Sequence, residues 1–311
     1  MSTNNSSATT ISRRHFLGTT ALTLAAASTR AHAAGDPFAF RYIVASCMYG
    51  ELPLSEIVPE LAKTGATEID IWPRVHGNQR EQAEEMGFDK FAELLANHSV
   101  TLGISTRYDL GPYKLQDEMK VVSSLGGDMI VAGSGNVEGA TEKERVQNFV
   151  EKMKPHTERA EELGVTIAIE NHSSQLLYSP DSLRYLAEFA DSDRLGIAFA
   201  PYHLPQDPKL LAQLIRDLGP KMVHFYAWEH GFGCMEKMPK AQEMQQLPGY
   251  GSLDFGPIVN ALRETQYAGR TSIFMHPVPR GIPILPTATQ VTRAMNRSRQ
   301  YIESFLGESN G

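Results

Sequence analysis

The residues best equipped for chemistry in this chain are six histidines and a glutamate, each placed where an apolar, β-rich run stops. Val165–His172 is the clearest case: Val-Thr-Ile-Ala-Ile reads as a buried strand and leads straight into Glu170, Asn171 and His172. His76, His203, His224, His230 and His276 occupy similar points, whereas His98 and His156 fall in helical patterns and read as surface residues. A lone histidine at a strand end is more often a satisfied structural group than a ligand. Six beside a carboxylate point instead to metal binding or proton transfer, because neutral imidazole is the commonest metal ligand and titrates near neutrality. A carboxylate among imidazoles suits Zn, Mn, Fe or Co.

Other residue types at the same positions fit a polar, ring-shaped substrate. Trp72, Trp228, Tyr49 and Tyr202 offer flat faces for stacking on a pyranose. Arg74, Arg107 and Arg280 can donate paired hydrogen bonds to hydroxyls, carboxylates or phosphate. Each could equally pack the rim or pair with a loop carboxylate. Base candidates are Glu170 itself, His172, and the adjacent Glu229 and His230, the last two being alternatively a solvated loop. Gly133-Ser134-Gly135 could cradle a phosphate, but so short a glycine loop is weak evidence.

The elements that must position these groups follow a regular beat. Strand patterns at Tyr42–Ser46, Glu68–Trp72, Val100–Ile104, Met129–Ala132, Val165–Ile169, Arg194–Phe199, Met222–Tyr226 and Thr271–Met275 alternate with helical ones. The helices read as Leu54–Lys63, Phe88–Asn97, Lys114–Leu125, Glu142–Leu163, one opening at Ser179-Pro180-Asp181, Pro208–Leu218, Asp254–Thr265 and Thr289–Phe305. Short apolar strands separated by helices imply a parallel sheet with helical crossovers. Eight such units predict an α/β fold, a single (β/α)8 TIM barrel, whose chemistry sits at the C-terminal strand ends. An open doubly wound sheet is the alternative, but no Gly-x-Gly-x-x-Gly follows an early strand.

The N-terminus predicts export. Ser12-Arg13-Arg14-His15-Phe16-Leu17 is a twin-arginine signature, followed by the apolar run Leu17–Ala27 and the small-x-small pattern Ala31-His32-Ala33. The run is short of the roughly 20 residues a membrane span needs. Residues 1–33 are therefore expected to be a cleaved twin-arginine signal peptide and 34–311 the barrel domain. The expected location is the periplasm, with the twin-arginine machinery as export partner and no membrane span in the mature chain. Formal net charge is −7 with no basic cluster beyond the signal, which argues against nucleic acid as a partner. Two cysteines, Cys47 and Cys234, are too few for a disulfide framework; one bridge or two free thiols are both open. An oligomer is compatible with the sequence.

The motifs Ile169-Glu170-Asn171-His172, Pro201-Tyr202-His203, Val223-His224-Phe225, the stretch Leu247-Pro248-Gly249-Tyr250-Gly251-Ser252-Leu253-Asp254-Phe255 and Tyr267-Ala268-Gly269 carry a resemblance. Over nearly all of residues 34–311 the chain resembles the xylose isomerase-like TIM barrels of the sugar phosphate isomerase/epimerase group. The resemblance implies one divalent metal held by Glu, Asp, His and Glu on strands five to eight. Glu170 matches the first ligand and His224 the third, but Ala200 stands where the Asp is expected and His276 where the last Glu is. The implied set becomes Glu170, His203, His224 and His276, with His203 either recruited to the metal or contacting substrate as in the family. Nitrogen donors shift the expected ion toward Zn or Co, with Mn also open.

The resemblance further implies proton abstraction next to a carbonyl of a sugar or keto-sugar, giving isomerisation or epimerisation. Loss of the second carboxylate favours a rival reaction, a lyase or hydratase eliminating from a 3-keto-glycoside. A third reading is a non-catalytic sugar-binding barrel, and a fourth an endonuclease IV-like barrel, against which the acidic balance and export signal count. Trp72, Arg74, His76, Arg107, Tyr202, Trp228 and Arg280 are the expected substrate contacts.

Overall fold

In the computed structural model, which describes Met1 and residues 38–307, eight parallel strands pair in chain order and the eighth closes onto the first. They are β1 (Arg41–Ala45), β2 (Glu68–Ile71), β3 (Thr101–Thr106), β4 (Met129–Gly133), β5 (Thr166–Glu170), β6 (Leu195–Phe199), β7 (Met222–Ala227) and β8 (Arg270–Ile273). Closure places Arg41 opposite Arg270 and Tyr42 opposite Thr271. The expected (β/α)8 barrel is the observed fold. The twin-arginine motif, the apolar run and the cleavage pattern all lie outside the described residues.

Strands buried on both faces read as near-continuous apolar runs, and β4 and β6 are buried along their whole length. Around them lie α1 (Leu54–Leu61), α2 (Gln79–Met86), α3 (Phe88–Asn97), α4 (Gln116–Ser124), α5 (Glu142–Leu163), α6 (Pro180–Phe189), α7 (Pro208–Leu218), α8 (Lys240–Glu243), α9 (Gly256–Glu264) and α10 (Ala288–Ser304). The long helix α5 starts where the Thr141 hydroxyl accepts the Glu144 N–H and stops at Gly164, whose left-handed φ of 69° ends the helix. No helix among the described residues is long and apolar enough to cross a membrane.

Two helices are absent from the sequence expectation. In α2, Gln-Arg-Glu-Gln-Ala-Glu-Glu-Met buries Gln79, Arg80 and Ala83, so there is little apolar period to read. The single turn α8 lies in the long connection after β7.

At its N-terminal end the barrel is plugged by charge. Arg270 donates to Glu68 (2.7 Å) and pairs with Asp128 (2.7 Å), while Arg41 takes the other side of Glu68 (2.7 Å). Two guanidinium groups thus balance two carboxylates, and the opposite, C-terminal end is left for the loops that carry the site.

Candidate active site

A cavity of about 340 Å³ opens at the C-terminal strand ends, where His76, His172, His203, His230, His276 and Arg280 line it. Cavities of about 390 Å³ and 420 Å³ lie elsewhere, beside Arg41 and Arg270 and beside Arg80 and Arg107. Those guanidinium groups are already engaged by carboxylates. Two imidazole nitrogens at the mouth, His76 Nδ1 and His203 Nε2, are buried without a hydrogen-bond partner, as is His224 Nδ1 within the barrel.

Glu170 ends β5 and is buried, 3.5 Å from the Nε2 atom of His203. Neighbouring backbone fixes both. The Asn171 side chain accepts from the Ala200 N–H (2.8 Å) and donates to the Ala200 carbonyl (2.9 Å), clamping the end of β5 to the end of β6. His203 then follows on the 3-10 turn Pro201–His203. Its Nδ1 accepts from the Ser173 N–H at 3.4 Å, which assigns the ring proton to Nε2, the nitrogen facing Glu170. Burial raises the Glu170 carboxyl to about 8, with a smaller opposing effect from His172. Burial, with His230 adding, lowers His203 to about 4. The pair is therefore a strengthened base beside a neutral imidazole donor rather than an ion pair.

The other imidazoles crowd the same space. His172 and His203 rings are 4.2 Å apart and His76 and His276 4.5 Å apart. His76 is lowered to about 4 and His276 further, burial being the largest cause in each, followed by neighbouring cations or imidazoles. His172 Nδ1 bonds the Ser173 carbonyl at 2.7 Å, and His230 stacks on Tyr202 at 4.7 Å.

Several expected residues sit elsewhere or are already committed. His224 is opposite Arg270, the first residue of β8, and its Nε2 faces Ser272 Oγ at 3.3 Å. It lies deep in the barrel, and burial with the nearby Arg270 charge lowers it to about 3. Glu229 faces the loop outside the mouth, where its Oε2 accepts the Leu253 N–H at 2.8 Å. Burial raises it to about 7 against backbone bonds from Leu253, Ser252 and Gly251. Arg74 is exposed, with Glu51 at 3.8 Å, and Arg107 is held by Asp109 (2.7 Å) and Glu118 (2.6 Å).

The expected stacking faces are covered too. Trp228 lies flat on Tyr202 at 3.9 Å, and Trp72 packs on Phe274 and His276. Tyr202 and Trp228 line the cavity, and Trp72 backs its His76 and His276. Arg280 lines the cavity but donates to the carbonyls of Pro277 (2.6 Å) and Cys234 (3.0 Å) and to Cys234 Sγ (3.0 Å).

Among the described residues no three His, Cys, Asp or Glu side chains converge into a group able to hold a metal ion. Of the expected set of Glu170, His203, His224 and His276, Glu170 and His203 lie 3.5 Å apart, while His224 turns its Nε2 to Ser272 and keeps a buried Nδ1 without a partner. The donors as placed do not fit a resident metal.

Two residues carry more of the site than the sequence indicated. Asp70, fully buried, accepts from Trp72 Nε1 (2.6 Å) and Thr106 Oγ1 (2.9 Å). Burial raises it to about 8, opposed by those bonds and reinforced by Glu170. Its position two residues before Trp72 on a strand was the available signal, since that spacing shares a face. Cys234, a free thiol like Cys47, sits in the cavity wall with Tyr202 Oη donating to its sulfur at 3.1 Å.

Comparison with solved structures finds the same fold in proteins of low identity. The IolI protein, solved with a bound zinc atom, matches at 16% identity and a TM-score of 0.68, covering 86% of this chain and 100% of its own. D-psicose 3-epimerase from Clostridium cellulolyticum H10, solved with D-tagatose, matches at 14% and 0.63, covering 86% and 99%. A probable 3-DHS dehydratase, AsbF, from Bacillus anthracis matches at 13% and 0.63, covering 84% and 99%. No curated protein sequence matches significantly. The family model described as the xylose isomerase-like TIM barrel matches residues 58–301. The chain belongs to the xylose isomerase-like TIM barrel family.

Proposed function

We propose that this barrel is an enzyme that moves a proton at the carbon beside a carbonyl of a sugar or keto-sugar, as an isomerase or epimerase. The observation that carries the reading is the Glu170–His203 pair, a buried carboxyl 3.5 Å from an imidazole Nε2 that bonds nothing else. Glu170 takes the proton from carbon. His203 donates its Nε2–H to the carbonyl oxygen as negative charge develops there, giving an enediol. A neutral imidazole donor facing a carboxyl that ionises at about 8, and is then a strong base, is a workable pairing for this chemistry. Return of the proton from Glu170 to the former carbonyl carbon, with the proton of the other hydroxyl passing back to His203, gives the isomer.

His172, whose ring adjoins His203, is the residue best placed to return a proton from a second direction. His76, Tyr202, Trp228 and Arg280 shape the space a sugar ring would occupy. Glu229, Arg74 and Arg107 have no part in the reaction. The expectation of a divalent ion finds support in the zinc of the IolI protein, but the donor placement in this chain does not favour it. Export by the twin-arginine route to the periplasm remains our reading of the N-terminal motif.

The lyase or hydratase reading has its own support: the site offers one lumenal carboxyl at the mouth, and one of the structural relatives is described as a dehydratase. Product analysis separates the two. Purified protein incubated with ketoses and 3-keto-glycosides should yield an isomer of unchanged mass; an unsaturated sugar with a released group would make it a lyase. Binding without any product would leave the non-catalytic barrel.

A further inference from the structure

Apart from Met1, the exposed large apolar side chains among the described residues are Val75 (65% exposed), Tyr178 (49%), Phe232 (52%) and Met235 (84%). All four lie in loops that follow strands: Val75 after β2, Tyr178 after β5, Phe232 and Met235 after β7. In a barrel those loops ring one end, here the end where the imidazole cavity opens. Scattered single exposures need no explanation, but Phe232 and Met235 share one loop, whose residues His230, Cys234 and Met235 line the cavity. Met235 lines the cavity itself with His230 and Arg280. The Val75 carbonyl lies against Gly281, the residue after Arg280, where an added Cβ would meet it at 3.2 Å.

The site therefore grades from an apolar edge to a wall of imidazoles, two of them with an unpaired buried nitrogen, with the Glu170 carboxyl 3.5 Å beyond His203. Its complement is a molecule with one polar and one apolar end. A second copy of the chain fits less well, because a stable interface needs about 800 Å² per partner around a continuous apolar centre. Four side chains on three loops around an opening do not supply that. A sugar phosphate fits less well also, because the Arg280 guanidinium is already spent on Pro277 and Cys234.

We infer that the rim is a subsite for an apolar, ring-sized group joined to the sugar, so that the substrate class is a glycoside with an apolar aglycone. This rests on the sugar reading above. The ring would lie on Phe232 and Met235 while the sugar occupies the cavity below.

Calorimetry with the free hexose, its methyl glycoside and its phenyl glycoside, in the gluco, galacto and manno series, tests this. In the series that binds, the phenyl glycoside should bind about ten-fold or more tighter than the methyl glycoside, a gain consistent with burying a ring against apolar side chains. The double variant Phe232→Ala, Met235→Ser should bring that ratio close to one. Both positions are exposed, so folding should survive the changes. Equal phenyl and methyl binding in the wild type would overturn the subsite and leave the sugar reading intact. A phenyl preference that survives in the double variant would also overturn it. A dimer in sedimentation that the double variant splits would assign the rim to self-association instead. If no member of any series binds, the sugar reading fails and the subsite with it.

Discussion

Glu170 Oε1 lies 3.5 Å from His203 Nε2, and each of the two side chains is only 4% exposed. A buried polar atom normally finds a partner, and one left without it is often kept for substrate. His203 Nε2 is such an atom. The pair gives one group to take a proton and another to stabilise the resulting oxyanion.

His203→Asn keeps the size and polarity of the site but loses the Nε2 donor. Turnover should fall about 10²- to 10⁴-fold, the usual worth of a positioned acid or base. The melting temperature should stay close to wild type, because the nitrogen supports no other bond. Steady-state kinetics beside calorimetry checks both. A loss confined to KM would make His203 a binding residue.

Glu229→Gln should behave in the opposite way. Its carboxylate anchors the backbone at Leu253, so the change weakens a tether and leaves the cavity alone. About 1.5–3 kcal/mol of stability should be lost, the range for a hydrogen bond to a charged group, with turnover within a few-fold of wild type. Urea melts and kinetics decide this. A hundred-fold drop in turnover at unchanged stability would return Glu229 to the catalytic set.

Glu118 governs an acid-sensitive part of the fold. It is buried, which raises its pKa, but Arg80 (2.8 Å), Ser105 (2.6 Å) and Arg107 (2.6 Å) more than offset this and hold it below the ordinary range. A carboxyl depressed in the folded state adds stability that is full above its unfolded pKa of about 4.3 and is lost as pH falls through the folded value. Glu118→Gln should therefore cost about 3–5 kcal/mol at neutral pH, the usual effect of breaking a buried pair. The gap to wild type should close as pH drops below 4.3. Denaturant melts across that range test it, and a gap constant with pH would show that packing, not charge, is what Glu118 supplies.

Removing metal should have little effect. With Ala200 in place of a carboxylate and His224 turned to Ser272, prolonged dialysis against a chelator should leave turnover within two-fold. Elemental analysis should find far less than one divalent ion per chain. Loss of activity restored by Zn, Mn or Co would show that the imidazoles rearrange around an ion.

The sequence revealed more of the fold than of the site. The alternation of short apolar runs with capped helices such as α5, which runs from Glu142 to Leu163 as expected, made the barrel legible because each signal is local. Glu170 was legible for the same reason, being the first charge after a buried run. His224 was not, because where its ring points depends on packing inside the barrel: its Nε2 faces Ser272 of the neighbouring strand. Arg107 and Glu229 were misread because a partner elsewhere in the chain, Glu118 or the Leu253 backbone, decides where a long side chain points. Asp70 was missed because a charge between two isoleucines reads as a strand interruption until the barrel gives that face a lumen.

The central claim is that Glu170 takes a proton from the carbon beside a carbonyl. Exchange of α-protons of ketoses and keto-glycosides with heavy water, followed by NMR with wild-type and Glu170→Gln protein, tests it most directly. The account predicts enzyme-dependent exchange in the wild type and a fall of about 10²-fold or more in the variant, with the fold intact. Exchange no faster than in buffer with wild-type protein, or equal exchange in Glu170→Gln, would contradict it.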